Sequence, residues 1–341
     1  MANVDIALSA DFLNESGSLV FPDIGLSTIA GNARLQHRFL PDYRAEYTPD
    51  QLQGADVVLS LKPKVTAASL EGVTRLAAIG RFGVGYDNVD TAACTRADVA
   101  VYITRQAVVR PVASSIVLLV LASAHNLVWK DRLLRQGEWV ASTRKLGKEP
   151  RGRVLGTVGL GNIAREALRL LTPFGFSEFL AYDPAVTSAD GVRMVSLETL
   201  FSESDFVLIN CPLMPQTRGL IGESLLRRMK PDAVFINTAR GPIVDEAALT
   251  KVLQEGAIKC AALDVFEQEP LQDGSPLTGL DNTILTSHSL CWTEELFRDM
   301  GRESFAGVLA LANGDAPVNV VNPEVLTRPG FLAKLAQLGV A

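Results

Sequence analysis

From residue 154 onward the chain alternates between short apolar runs and segments of helical spacing, and this alternation constrains the fold more than any other feature. The runs "VLGTVG", "FLAYD", "FVLIN", "AVFIN", "KCAALDV" and "TILTS" read as strands. Between most of them stand "IAREALRLLTPFG", "SLETLFSES", "GESLLRRMK" and "DEAALTKVLQEG", whose apolar positions recur with a helical period. Strands joined by helices of this length pair in parallel through right-handed crossovers, which builds a doubly wound sheet. The earlier part has the same character, with "VDIALSA", "DVVLSL" and "LAAIGRFG" as strands. At 341 residues the chain is long enough for two such domains, each with its own core. The expected class is α/β, with two Rossmann-like, doubly wound parallel-sheet domains.

The first strand of the regular half runs into "GLGNIAREAL", a G-x-G-x-x-A turn made by Gly159, Gly161 and Ala164. The first glycine permits the tight turn, the second lets backbone approach a pyrophosphate, and the small third residue lets helix and strand pack closely. The helix N-terminus supplies amide donors and the positive end of its dipole. The next strand ends "AYDP", which puts Asp183 about twenty residues beyond the glycines, where an acid binds the adenosine ribose hydroxyls. Asp183 would repel a 2′-phosphate and no arginine stands beside it, so NAD is expected over NADP.

"FINTARGPIVDE" puts a charge, Arg240, just past a strand that is otherwise buried, with Gly241 and Pro242 in a tight turn and Asp245 as the N-cap of the next helix. Open α/β sheets bind ligands at that edge. Asp264 ends "AALDV", Glu269 lies in "FEQEP" and His288 follows "TILTS", so an acid, a second acid and an imidazole join the arginine at one sheet edge. His288 is one of three histidines, with His37 and His125, and the only one at such a position.

Composition narrows the class. The chain is 48% hydrophobic and 21% charged with a formal net charge of −6, so the surface as a whole does not attract nucleic acid or anionic lipid. Cys94, Cys211, Cys260 and Cys291 show no metal-ligand spacing and read as buried free thiols, and no metal is expected. The start, "MANVDIALSADF", reads as a strand and not as a signal peptide. The most apolar stretch, "IVLLVLASAHNLVW", is shorter than a membrane span and reads as a buried helix. "QGEWVASTRKLGKEPRGR", residues 136–153, reads as an exposed, turn-rich excursion. No membrane partner is expected and a cytoplasmic location is.

"GRFGVGYDNVD", "GLGNIA", "AYDP", "CPLMPQTRGLI", "MKPDAVFINTARGPIVDE", "AALDVFEQEP" and "NTILTSH" resemble, in order and spacing, the D-isomer-specific 2-hydroxyacid dehydrogenases. The resemblance runs from about residue 55 to "VNPEVL" near 326. It implies that the dinucleotide domain is inserted in the substrate domain. Residues 1–112 would be the first part of a flavodoxin-like substrate domain, 113–300 the NAD-binding domain, and 301–341 the helical return. A homodimer through the dinucleotide domain, using an excursion near 130–150, is implied too. Arg240 would bind the substrate carboxylate and carbonyl, His288 would be the general acid/base, and Glu269 its partner. Each role suits its chemistry: a guanidinium offers paired donors, and an imidazole exchanges a proton near neutral pH with help from a nearby carboxylate. The cofactor would be held by Gly159, Leu160, Gly161, Asn162, Ile163, Asp183, Cys211, Pro212, Thr217, Thr238, Ala239, Arg240, Asp264 and His288, with Asp264 at the nicotinamide carboxamide. Val84 and Gly85 would offer N–H groups to the substrate carboxylate, and Trp292 would line its pocket.

The family pattern is kept at Thr104, Ala107, Val112 and Ala113, but Ile103, Arg105 and Ser114 replace the usual Asn, Pro and Glu. Asn210 precedes Cys211-Pro212 where His is frequent, and "SHSLCWTEE" replaces the commoner Pro-His-Ile with small residues after it. These departures bear on the substrate more than on the chemistry. The expected activity is NAD-dependent interconversion of a D-2-hydroxy acid and its 2-oxo acid. The alternatives are an NADH-sensing, corepressor-like binding protein and a dehydrogenase of another small anion such as formate or phosphite.

Overall fold

The computed structural model describes residues 3–339. The chain forms two compact units, one made of the residues up to Val108 together with those from Trp292 onward, the other of Val109–Cys291. The breaks therefore fall at 108 and 291, whereas the family resemblance implies boundaries at 112 and 300. The helix that opens the second unit begins at Val109 and belongs whole to it. Trp292 packs edge to face on Phe21 and Phe297, at 5.5 and 5.3 Å between ring centroids, which ties it to the first unit.

The first unit holds five parallel strands, β1 (Val4–Leu8), β2 (Leu35–Phe39), β3 (Val57–Ser60), β4 (Ala78–Arg81) and β5 (Ala100–Ile103), in the order β2-β1-β3-β4-β5. This is the flavodoxin-like order. β1, β3 and β4 are the strands read from sequence. β2 escaped notice because "LQHRF" is an edge strand with three exposed residues, and nothing in its sequence alternates. β5 is four buried residues, too short a run to be separated from the loop that follows. Along the chain come α1 (Pro49–Leu52) and α2 (Thr91–Arg96).

The second unit opens with α3 (Val109–Ala124), α4 (Leu127–Arg135) and α5 (Trp139–Arg144). Its sheet has seven strands: β6 (Val154–Val158), β7 (Glu178–Tyr182), β8 (Arg193–Met194), β9 (Phe206–Ile209), β10 (Val234–Asn237), β11 (Cys260–Leu263) and β12 (Thr283–Leu285). Their order is β12-β11-β10-β9-β6-β7-β8, all pairs parallel, so the winding reverses between β6 and β9. The helices interleaved with these strands are α6 (Asn162–Leu171), α7 (Leu197–Glu203), α8 (Glu223–Leu226) and α9 (Glu246–Gln254). Strand residues alternate between two cores: Phe235, Val207 and Leu263 pack on one face of the sheet, Leu155, Ile236 and Ala262 on the other. Fully burying side chains of this size is worth roughly 1.5–3 kcal/mol each, so both faces must be covered by helices.

Two expectations are corrected here. The stretch at 116–129 is not one buried helix. Asn126 takes a left-handed conformation (φ 56°) and sends its amide to the Leu146 carbonyl at 2.9 Å, so α3 and α4 bend by 59°. α3 is largely buried, whereas α4 has no buried residue and exposes Leu127 (55%) and Leu134 (52%). Among the described residues no single helix is long and apolar enough to cross a membrane. The excursion at 136–153 is exposed, as read, but contains the short helix α5. The last part of the chain holds two helices, α10 (Glu294–Ala312) and α11 (Pro329–Gly339), and the first begins before residue 300, capped by Thr293 accepting the Leu296 N–H at 3.2 Å.

Candidate active site

β6 delivers the glycine turn at the point where the sheet reverses direction. Gly159 has φ +93°, and a Cβ there would lie 2.7 Å from the Cys211 nitrogen, so glycine is required both by conformation and by the close pass of the β9 loop. Beyond Gly161 and the adjoining backbone, no atom lies within 4 Å of where a Cβ would stand. The protein does not use that space, and it is where a pyrophosphate would meet the start of α6. Asp183, one residue past β7, accepts the Leu160 N–H at 2.8 Å on one carboxylate oxygen and the Ala185 N–H at 2.9 Å on the other. Each oxygen keeps a second lone pair for a ribose hydroxyl. Ala164 is buried under the turn, so small size is needed there. The residues present fit a nicotinamide dinucleotide.

Thr217 turns its hydroxyl inward, donating to the Pro212 carbonyl at 2.7 Å and accepting the Met214 N–H at 2.8 Å. It shapes the loop that holds Cys211 and Pro212. Thr238 and Ala239 follow β10, and Asn237 braces them: its side chain accepts the Ala239 N–H at 3.0 Å and donates to the Arg240 carbonyl at 3.0 Å. Arg240 is half-buried and donates to the Ala239 carbonyl at 2.7 Å. Gly241 then packs against the backbone of Phe266 so closely that a Cβ would sit 1.8 Å from its carbonyl carbon. This contact holds the arginine turn against the segment carrying Glu269, and sequence alone gave no reason for it beyond a tight turn. Asp245 caps α9 by accepting the Ala248 N–H at 2.9 Å, as the sequence suggested.

His288 and Glu269 are brought together. His288 Nδ1 lies 2.7 Å from one Glu269 oxygen, while the other oxygen accepts the Phe266 N–H at 3.0 Å. Burial pushes the Glu269 carboxyl up, but the His288 hydrogen bond and charge, the Phe266 N–H and the Arg240 charge outweigh it and hold it below the usual carboxylate range. Asp264, directly after β11, is buried and gathers three donors on one oxygen: the Thr286 hydroxyl at 2.6 Å and the N–H groups of Ser289 and Leu290 at 3.2 and 3.3 Å. That carboxylate is the anchor of the segment bearing His288, a role the sequence did not suggest. His288 itself has φ +53°, unusual for a residue with a side chain.

The four cysteines are free thiols, though only Cys94 is fully buried. Burial pushes Cys211 and Cys291 up to about 11, which keeps them protonated and poor nucleophiles at neutral pH.

In the first unit, Val84 and Gly85 stand on the loop after β4. Thr104 pins that loop by accepting the Gly83 N–H at 2.7 Å and donating its own N–H to the Gly83 carbonyl at 3.1 Å. Trp292 sits on Phe21 and Phe297 with the Lys62 ammonium 5.6 Å from its ring, and remains 38% exposed.

Residues 117–289 match the family described as D-isomer specific 2-hydroxyacid dehydrogenase, NAD binding domain. The glyoxylate reductase of Korarchaeum cryptofilum is 35% identical over 327 residues, covering 91% of this chain and 96% of that protein. The chain belongs to the D-isomer-specific 2-hydroxyacid dehydrogenase family. Glyoxylate/hydroxypyruvate reductase B of an Enterobacter species is 36% identical over 292 residues, covering 84% of this chain and 90% of the relative. Among solved structures, the NADPH-dependent glyoxylate/hydroxypyruvate reductase of Sinorhizobium meliloti, in complex with NADP and malonate, superposes with a TM-score of 0.80. It is 25% identical and the match covers 95% of this chain and 98% of that one. The two parallel-sheet units are those of this family, and the second is its nicotinamide dinucleotide-binding domain.

Proposed function

We propose that this member of the family is an NAD-dependent dehydrogenase interconverting a D-2-hydroxy acid and its 2-oxo acid. The observation that carries the reading is the 2.7 Å contact of His288 with Glu269, in a site where the Arg240 charge acts on the same carboxylate. When bound, the nicotinamide ring supplies or accepts the hydride. The chain's own residues do the rest. The Arg240 guanidinium binds the substrate carboxylate and polarises the 2-oxo group. His288, its Nδ1 held by Glu269, presents Nε2 and gives a proton to the carbonyl oxygen in reduction, or takes it from the hydroxyl in oxidation. Asp264 anchors the His288 segment with one oxygen, and its other oxygen is the proposed partner of the nicotinamide carboxamide.

The cofactor is proposed to lie on the turn formed by Gly159, Leu160, Gly161, Asn162 and Ile163, bordered by Cys211, Pro212, Thr217, Thr238 and Ala239. Asp183 supports NAD over NADP, because its carboxylate would face the added 2′-phosphate. Val84 and Gly85 are proposed as further substrate contacts. Trp292 would influence substrate size. A homodimer is proposed through the second unit, where Trp139 (67% exposed), Val140 (56%) and Leu146 (81%) leave apolar surface that a second copy would cover. The direct test is NADH oxidation, followed by absorbance, with a panel of 2-oxo acids that begins with glyoxylate and hydroxypyruvate, the compounds for which the relatives are named. Absence of turnover with every member, alongside intact NADH binding, would overturn the enzymatic reading.

A further inference from the structure

Lys62 stands two residues past β3, at the carboxyl edge of the five-stranded sheet, where the neighbouring β4 loop carries Val84 and Gly85. It is exposed, yet its backbone is clamped from both sides. Leu61 donates its N–H to the Ser9 hydroxyl at 3.1 Å, and Lys62 donates its own to the Asp11 carboxylate at 2.9 Å. The Asn88 amide donates to the Lys62 and Pro63 carbonyls at 3.2 and 3.1 Å. Asn88 lies three residues after Gly85, so this lysine is fastened to the loop proposed to receive the substrate carboxylate. A lysine that only solvates a surface needs no such support, because its flexible stem lets the charge find water from any backbone.

The side chain is directed too. Its ammonium lies 5.6 Å from the centroid of the Trp292 ring, within cation–π range, and that ring is braced by the edges of Phe21 and Phe297. The Asp11 charge acts on the ammonium, but the carboxylate itself takes the backbone N–H. Burial pushes the Asp11 carboxyl up, against the pull of Ser9 and of Lys62. Among the described residues the Lys62 ammonium makes no hydrogen bond and no salt bridge, so its three donors remain for a ligand.

We propose that Lys62 determines specificity, and that the substrate is a 2-oxo acid with a second carboxylate, held by this ammonium while its methylene groups lie on Trp292. The inference rests on the reading of the site given above. One ammonium balances one charge, which favours a carboxylate over a phosphate that carries nearly two. Trp292 follows His288 by four residues, so at most about 14 Å of extended chain separates the aromatic wall from the proposed acid/base.

The test compares diacids with isosteres in which a branched alkyl end replaces the second carboxylate. The pairs are oxaloacetate with 4-methyl-2-oxopentanoate and 2-oxoglutarate with 5-methyl-2-oxohexanoate, read as kcat/KM for reduction with NADH. The wild type should prefer the diacid in at least one pair. Lys62→Met should lose at least ~10-fold more with that diacid than with its isostere, the effect of one charged hydrogen bond. Lys62→Arg should keep the preference. Unaltered melting temperature and NADH affinity in both variants would show that they are folded. A second arm reads binding without turnover: calorimetric titration of the two diacids into protein saturated with NAD+, which cannot reduce them. Lys62→Met should weaken this binding by at least ~10-fold as well. Turnover of the isosteres with no Lys62-dependent preference for either diacid would overturn the subsite and leave the catalytic reading standing. Lys62-dependent binding of a diacid with no turnover of any 2-oxo acid would support the subsite and overturn the catalytic reading. If neither diacid is bound or reduced, the proposal is wrong.

Discussion

Replacing Glu269 with Gln removes one charge from the proposed acid–base pair while keeping nearly the same shape. The partners are 2.7 Å apart, with side chains 41% and 35% exposed for His288 and Glu269. Two opposite charges whose centres lie about 4 Å apart attract by roughly 1 kcal/mol in water and roughly 4 kcal/mol at an effective dielectric constant of 20. Exposure above a third puts this pair near the lower figure, about 1–1.5 kcal/mol. Since ~1.4 kcal/mol is a factor of ten, Glu269→Gln should lower kcat/KM for reduction by up to about tenfold wherever Glu269 is ionised. The sign follows from the chemistry. Reduction consumes a proton carried by His288, and the Glu269 carboxylate favours the protonated ring. Glu269 is held below the usual carboxylate range, so it stays ionised in the wild type across any neutral assay. At a pH low enough to protonate Glu269 the wild type and Glu269→Gln should converge; at neutral pH, where the carboxylate is ionised, they should differ by up to about tenfold. The assay is kcat/KM for 2-oxo acid reduction against pH, with NADH binding followed by fluorescence. The control is His288→Asn, because the left-handed backbone at φ +53° suits Asn but strains Ala. It should lose about 10²–10⁴-fold in turnover, the usual contribution of a general acid. Parallel profiles offset by a constant factor would refute the role of Glu269, and near-normal turnover of His288→Asn would refute the whole assignment.

Arg240→Lys keeps the charge and loses the planar fork, so kcat/KM for the 2-oxo acid should fall at least ~10-fold with NADH affinity little changed; wild-type efficiency in steady-state assays would exclude Arg240 as the carboxylate clamp. Asp183→Ser should narrow the preference for NADH over NADPH, measured as a ratio of kcat/KM values, and a wild type that works as well with NADPH would sink the cofactor reading. In Gly241→Ala the new methyl meets backbone at 1.8 Å, so the arginine turn or the Phe266 segment must move. That displacement should cost about 10²-fold in turnover and lower the melting temperature, and an unchanged pair of values would show that the contact is not needed. Trp139→Glu and Leu146→Asp should convert a dimer to a monomer in size-exclusion chromatography with light scattering; a wild type that already runs as a monomer would remove the dimer proposal.

Much of this molecule was legible in its sequence because the second unit repeats one device. Buried parallel strands give continuous apolar runs, and β6, β7, β9, β10, β11 and β12 all showed them. What escaped were elements stabilised by tertiary context. β2 is polar because it lies at an edge, and β8 has two residues. α5 lies in a polar segment, with exposed Trp139 and Val140 and no buried residue to set a period. At the candidate site, the strand-end positions of the proposed residues were legible and their supports were not. Arg240, Asp264, Glu269 and His288 stand at strand ends, where an α/β sheet exposes chemistry. That Thr217 spends its hydroxyl on Pro212, or that Thr104 pins the loop of Val84 and Gly85, depends on distances between segments far apart in the chain.

The backbone around His288 follows from one acceptor. The Asp264 oxygen takes the hydroxyl of Thr286 and the N–H groups of Ser289 and Leu290, donors on both sides of His288 in the chain. For residues 286 and 289 to reach the same atom, the segment between them must double back. The left-handed turn at His288 is the local conformation that accompanies this reversal. It costs about 1 kcal/mol or more for a residue with a Cβ. Three hydrogen bonds to a buried acceptor offset that cost, since each contributes about 1 kcal/mol and leaving the carboxylate unsatisfied would cost more. The imidazole is then directed at Glu269, whose own position is fixed by the Phe266 N–H and by the tight contact of Gly241 on Phe266. His288, Glu269 and Arg240 thus follow three adjacent strands, β12, β11 and β10, on segments joined by backbone contacts. Such mounting would hold the proposed acid–base pair and arginine within the narrow tolerance that proton and hydride transfer require, because misplacement by about 1 Å can cost 10²-fold in rate.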